Sequence, residues 1–185
     1  MQLVSSRALW AAAVVPFLLL GCAQTQQAAD TTVAAAKAQV NPTLSTSDAS
    51  FMTTATRGGL AEVQLGELAQ RNGGSAAVKR FGRQMVADHG RSNQEMAALA
   101  QRKEITPPTT MGAEYQATYD DLAKLRGRAF DRAYARAMVA DHQEDLRLYR
   151  TEAQDGTDPD VKAFAARHVP ALEEHLRMAQ RLPQR

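Results

Sequence analysis

The sequence predicts an all-α protein: an antiparallel four-helix bundle made of two related helical hairpins, placed after a signal peptide and a flexible tether. Three observations carry that prediction. Apolar residues recur at helical spacing through four long stretches, each giving one core-facing stripe. Two short turns, Gly73-Gly74-Ser75 and Gly156-Thr157-Asp158, each end one stretch and cap the next. Aromatic residues make up only 5 % of the 185 residues while alanine is abundant, a balance that suits packed helices and not a sandwich or barrel.

Residues 1–21 read as an export signal. They hold no acidic residue, one basic residue (Arg7) and an apolar run from Ala8 to Leu20. Thirteen residues are too few to span a bilayer, which takes about 20, but they suit a signal-peptide core. The run ends Leu19-Leu20-Gly21-Cys22, which resembles a bacterial lipobox, so Cys22 is expected to be lipidated and to become the mature N-terminus. Such a cysteine carries more than the two lipid signals that stable anchoring needs. Ala23 rather than Asp after it implies transport to the outer membrane, with the domain facing the periplasm. The alternative is cleavage after Ala23, giving a soluble periplasmic protein. This single cysteine excludes a disulfide framework and any Cys-rich zinc or iron–sulfur site. Residues 22–47 carry Gln, Thr, Ala and Ser with almost nothing large and apolar, so they read as the tether, and the folded unit is expected over 48–182.

The first long helix is expected from a cap at Ser47 or Asp48 to Asn72, with Phe51, Ala55, Gly58, Glu62, Leu65 and Ala69 as its stripe. The second starts at the Ser75 cap and turns Val78, Phe81, Met85, His89, Met96 and Leu99 inward, ending before Pro107-Pro108. A short helix carrying Tyr115, Tyr119, Leu122 and Leu125 follows. The third long helix spans about Arg128 to Gln154, with Phe130, Tyr134, Met138, Leu148 and Tyr149 inward. Asp158 caps the fourth, Pro159 takes its first position, and Pro170 is expected to kink it. A shift of 83 residues lays Gly73-Gly-Ser-Ala-Ala-Val-Lys-Arg-Phe81 over Gly156-Thr-Asp-Pro-Asp-Val-Lys-Ala-Phe164, which points to an internal duplication.

Polar residues interrupt these stripes. Glu62 lies mid-stripe on the first helix, and the 83-residue shift places it over Asp145 on the third. His89, His142, His168 and His175, all four histidines of the chain, lie on or beside core faces. Buried charge is costly unless paired or metal-bound, so these residues call for partners. At about 1.5 Å per residue, Glu62, Asp145 and His168 fall about 17 Å from the hairpin turns, His89 and His142 about 22 Å, and His175 about 28 Å. If both turns share one end of the bundle, five of these groups occupy one or two layers. A carboxylate–imidazole cluster there would suit Fe, Mn or Zn. The competing reading is a metal-free hydrogen-bond network that fixes helix register. Asp88 and Asp141, each preceding a histidine in a Met-Val-Ala-Asp-His segment, are expected at helix boundaries near Lys or Arg.

Several segments together resemble one family: Phe51 followed by Gly58-Gly-Leu-Ala-Glu-Val-Gln-Leu-Gly66, Val78-Lys-Arg-Phe81 with Met85-Val-Ala-Asp-His89, Phe130-Asp-Arg-Ala-Tyr134, His142 with Leu148-Tyr149, and Val169-Pro-Ala-Leu-Glu-Glu-His175. They are similar to the bacterial envelope family of unknown function numbered 4142. The resemblance spans about Asp48 to Ala179 and implies a ferritin-like bundle without an established activity. The di-iron pattern of ferritin-like bundles needs Glu-x-x-His on two helices, but Val86, Ala165 and Leu172 stand three residues before His89, His168 and His175.

Two functions are therefore expected. One is a non-enzymatic envelope lipoprotein, held to the membrane by its lipid and presenting the bundle to another envelope protein, in stress response or envelope interactions. The other is a periplasmic metal-binding bundle for storage, sensing or protection, with ligands drawn from Glu62, His89, His142, Asp145, His168 and His175. No organic cofactor is expected. A net charge of +2 with interspersed signs argues against nucleic acid, and no hydrolase elbow, His-Glu-x-x-His segment or phosphate loop is present.

Overall fold

The computed structural model describes residues 44–183, so the expected signal peptide, Cys22 and the expected tether up to residue 43 lie outside the described residues. Helix α1 (Thr46–Asn72) opens on a reciprocal capping box. Ser45 Oγ accepts from the Asp48 amide and Asp48 Oδ2 accepts from the Ser45 amide, both at 3.1 Å. The start is earlier than the expected Ser47 or Asp48, and residues 44–47 belong to the domain and not to the tether. The physical reason is Leu44, a lone apolar residue in a polar stretch, which buries itself in the core.

Helix α2 (Ala76–Arg102) is capped by Ser75, whose Oγ accepts from the Val78 amide at 3.2 Å. The short α3 (Gly112–Ala123) and α4 (Gly127–Asp155) follow. Helix α5 (Pro159–Gln180) is capped by Asp158, which accepts from the Asp160 and Val161 amides, and it runs unbroken through Pro170. Among the described residues no helix is long and apolar enough to cross a membrane.

α1 pairs with α2 and α4 with α5 as antiparallel hairpins, and the connection carrying α3 runs back along the bundle between them. Gly73 bridges to Gly127, which puts the first turn beside the start of α4. The Thr157 and Asp158 amides bind Asp48, which puts the second turn beside the start of α1. The two turns therefore lie at opposite ends, and the shared end assumed for the layer estimate is corrected. The long crossover makes this possible, because it returns the chain the full length of the bundle before α4 begins.

The 83-residue repeat reappears as a relation between contacts. Both oxygens of buried Asp131 accept from the Gly74 and Ser75 amides, each at 2.8 Å. Both oxygens of buried Asp48 accept from the Thr157 and Asp158 amides, at 2.9 and 3.0 Å. Asp131 stands 83 residues after Asp48, as Thr157-Asp158 stand after Gly74-Ser75. Each hairpin thus holds the other's turn with a carboxylate at the start of its first helix. The edge-on ring pair Phe51–Phe164 (6.4 Å) likewise maps onto Tyr134–Phe81 (6.1 Å).

Two apolar clusters fill the bundle, one around Phe51, Tyr149 and Phe164, the other around Phe81, Phe130 and Tyr134. On α2 the boundary between them falls between Met85 and Met96, on α4 between Met138 and Leu146, and on α5 between Leu172 and Ala179. Those intervals hold His89, His142 and His175. In the hairpin of α1 and α2, a Cβ on Gly66 would meet the Gly82 carbonyl at 2.6 Å and the converse also holds, so only glycine lets these backbones close up.

Glu152 lies beneath the second turn against Asp48. Burial, then the hydrogen bond to Asp48, pushes its carboxyl up to about 8 from an ordinary 4.5. Its contribution to stability is full below about pH 4.5 and drains away as the pH rises through 8, because the unfolded chain ionises first. Glu152→Gln keeps a donor towards Asp48 without the titrating group. It is expected to raise the Tm at pH 9 and change it little at pH 5, and unchanged circular-dichroism melts at pH 9 would refute this.

Candidate metal centre

Opposite turns change which residues share a level. Along the axis from the first-turn end, Glu62, His89, His142 and His175 fall at about 17–22 Å, whereas Asp145 and His168 fall near about 27 Å. The packing follows that reckoning. The rings of His89, His142 and His175 form a triangle with centroid separations of 5.8, 5.4 and 5.4 Å. One nitrogen from each lies within 4.8 Å of the other two. All three rings are buried between the apolar clusters, His142 at 0 % exposure.

Local structure sets the tautomers. His142 Nδ1 is 2.9 Å from the Met138 carbonyl, one helical turn back, and a carbonyl can only accept, so the proton sits on Nδ1. His175 Nε2 is 2.9 Å from Asp88 Oδ2, and the same argument puts its proton on Nε2. The second nitrogens, His142 Nε2 and His175 Nδ1, together with His89 Nε2, are buried and have no hydrogen-bond partner among the described residues. Burial holds the His89 imidazole well below its usual range, and the neighbouring His142, His175 and His168 add to this. Burial, and then His175, lowers His142 to about 4, against a small opposing pull from the Met138 carbonyl. His175 is lowered by burial too, with Asp88 opposing. Near neutrality the three rings are therefore uncharged, with bare lone pairs available.

Three neutral imidazoles with one histidine oriented by a carboxylate form the donor set of a zinc-type site with an open fourth position. A tetrahedral ion at 2.0–2.1 Å wants nitrogens about 3.4 Å apart, and those of the triangle lie within 4.8 Å of one another. Imidazole donors suit Zn, Cu, Fe or Ni better than Mn, which prefers oxygen.

Beside the triangle lies a carboxylate group. Glu62 is fully buried, and neither of its oxygens nor Asp141 Oδ2 accepts from a donor group among the described residues; the two carboxyls instead face each other and share a hydrogen bond when one of them is protonated. Glu62 Oε1 lies 3.4 Å from His142 Nδ1. Burial raises the Glu62 carboxyl well above its ordinary value, and Asp141 and Asp145 raise it further. Asp145 is raised chiefly by burial and then by Asp141. At Gly58 the position of a Cβ is 3.3 Å from the Tyr115 hydroxyl and 3.5 Å from Asp145 Oδ1, so the missing side chain lets α3 reach the carboxylates.

The six candidate residues thus divide. His89, His142 and His175 converge, Glu62 adjoins them through His142, and Asp145 flanks Glu62. His168 stands apart: Nδ1 donates to the Phe164 carbonyl at 2.9 Å, the ring lies 4.2 Å from that of Phe164, and Nε2 is 3.7 Å from Glu95. Asp88 binds Arg91 as expected, but also His175. Asp141 faces Glu62 where Lys or Arg was expected, because α4 packs against α1 on that side and the carboxyls share a hydrogen bond. Tyr134, read as plain core, presents an unpartnered hydroxyl to this region. The repeated Asp-His dipeptide was the available signal for both acids.

Fold and site together define a class, a helical bundle with a histidine-lined polar layer between two apolar cores. The chain belongs to the family described as Domain of unknown function (DUF4142), which matches residues 32–182. No curated protein and no solved structure matches it.

Proposed function

We propose that the protein is a bacterial envelope lipoprotein whose bundle holds a divalent d-block ion, zinc by preference, on His89, His142 and His175. The observation that carries this reading is the convergence of three buried imidazoles, one nitrogen of each within 4.8 Å of the others, in rings that each hold a nitrogen without a hydrogen-bond partner among the described residues. A buried polar atom left unpaired costs about 1–3 kcal/mol, and three in one place is a cost that a bound ion removes. The internal repeat supports it independently. The positions related to His142, His175 and His89 by 83 residues are Gly59, Ser92 and Leu172, so packing at this level does not require imidazoles. A long crossover between two hairpins is also the connectivity of ferritin-like bundles, which supports that relationship. The envelope location rests on the N-terminal signal and Cys22. A holding role, storage or buffering, fits better than catalysis, because the three imidazoles are sealed from solvent.

The full chain, fractionated from a bacterial host without chelator or affinity nickel, is expected in the membrane fraction with close to one zinc ion per chain. His89→Ala and His175→Ala are expected to lose it. Elemental analysis finding no ion, with variants that are merely less stable, would make the histidines structural and overturn the metal reading; recovery in the soluble fraction would overturn the anchored one.

A further inference from the structure

We propose that a second, oxygen-seeking divalent cation binds beside the first, between the carboxylates of Glu62 and Asp141, with the Tyr134 hydroxyl turned towards it. This rests on the three-histidine reading and extends it from a single ion to a pair with different chemical preferences. Glu62, Asp141 and His142 each offer one atom, and these lie within 4.8 Å of one another. The side chains of Glu62 and Tyr134 are fully buried; among the described residues no donor group reaches the oxygens of Glu62 or Asp141 Oδ2, and the Tyr134 hydroxyl has no hydrogen-bond partner.

Two facing carboxylates cannot hydrogen-bond each other as anions; in the metal-free chain Glu62 and Asp141 share a proton, and the cation takes that proton's place. Asp145 adds a third carboxyl, and its field and that of Asp141 both bear on Glu62. The field of Glu62 and Asp141 also bears on the Tyr134 hydroxyl. In the metal-free chain the neighbouring imidazoles are neutral and do not offset these carboxyls. Carboxylate and phenol oxygens form a hard donor set, which selects Mn2+ or Mg2+ over zinc. His142 Nδ1 stays bonded to the Met138 carbonyl and lies 3.4 Å from Glu62 Oε1, so this residue stands between the two sites while giving its other nitrogen to the first ion.

The test uses the full chain, stripped with chelator and dialysed against Zn2+ and Mn2+ together, with the bound ions counted by elemental analysis and Mn2+ followed by electron paramagnetic resonance. One Zn2+ and one Mn2+ per chain are expected. Glu62→Gln and Asp141→Asn are each expected to weaken Mn2+ at least tenfold while Zn2+ remains, and retained Zn2+ also certifies that each variant has folded. His175→Ala is expected to lose Zn2+ first. One Zn2+ and no Mn2+ in the wild-type protein, or Mn2+ binding indifferent to both substitutions, would overturn the second site and leave the first standing. Neither ion bound would overturn both.

Discussion

Asp131→Ala is expected to lower the melting temperature of the metal-free domain by about 10–20 °C. Asp131 is buried, and each of its oxygens accepts a short hydrogen bond from a turn amide, Gly74 on one side and Ser75 on the other. Hydrogen bonds to a charged group contribute about 1.5–3 kcal/mol each, so removing both costs about 3–6 kcal/mol. That is a large part of a total stability of about 5–15 kcal/mol. Asp48→Ala is expected to cost as much or more, because Asp48 also closes the capping box with Ser45. Asp155→Ala, on the exposed end of α4, serves as the control and is expected to change little. Thermal melts followed by circular dichroism decide the matter, and an Asp131→Ala Tm within 3 °C or so of wild type would remove the clasp as a determinant of the fold.

The second large effect is a pH dependence carried by His142. Its imidazole titrates near 4 in the folded chain, against 6.5 for an ordinary histidine. Above about pH 6.5 both states are neutral there and the full contribution to stability is present. As the pH falls from 6.5 towards 4, the unfolded chain takes up a proton that the buried ring refuses, and stability is lost at about 1.4 kcal/mol per pH unit. The total is about 3 kcal/mol for this residue. Glu62 and Asp145 oppose it, since carboxyls raised by burial lose stability as the pH climbs. The His142 share must therefore be read as a difference. In chelator, denaturant unfolding of wild type and His142→Leu between pH 7 and pH 4 is expected to show the wild type losing about 3 kcal/mol more. Parallel curves would mean that the ring is not held neutral by its surroundings.

The helices were legible in the sequence because their ends are written in caps. Ser75, Asp158 and Pro159 mark starts that the structure keeps, and the apolar stripes name most of the buried residues. Leu44 and Ser45 were missed because one leucine in a polar stretch carries no periodicity. The end of the bundle at which each turn lies was not legible, since it depends on the path of the crossover, which has no local signature. That single unknown misplaced the layer. His89 and His142 sit near the midpoint, where counting from either end gives the same height, so their pairing survived. His175 and His168 sit off the midpoint and exchanged roles. Asp88 and Asp141 are both expected near Lys or Arg, and only Asp88 lies there, because an acid beside an inward histidine can point to either neighbouring helix.

The reciprocal grip of Asp48 and Asp131 on each other's turns has an evolutionary consequence. A lone hairpin of this kind carries both halves of the clasp, a carboxylate at its start and a turn at its far end, so two identical copies could close on one another as a twofold dimer. Such an ancestor would have carried every residue of its middle layer twice, and any change would have struck both faces. Fusing the copies through the crossover would free the halves to diverge. One face could then gather three imidazoles while its mate kept Gly59, Ser92 and Leu172.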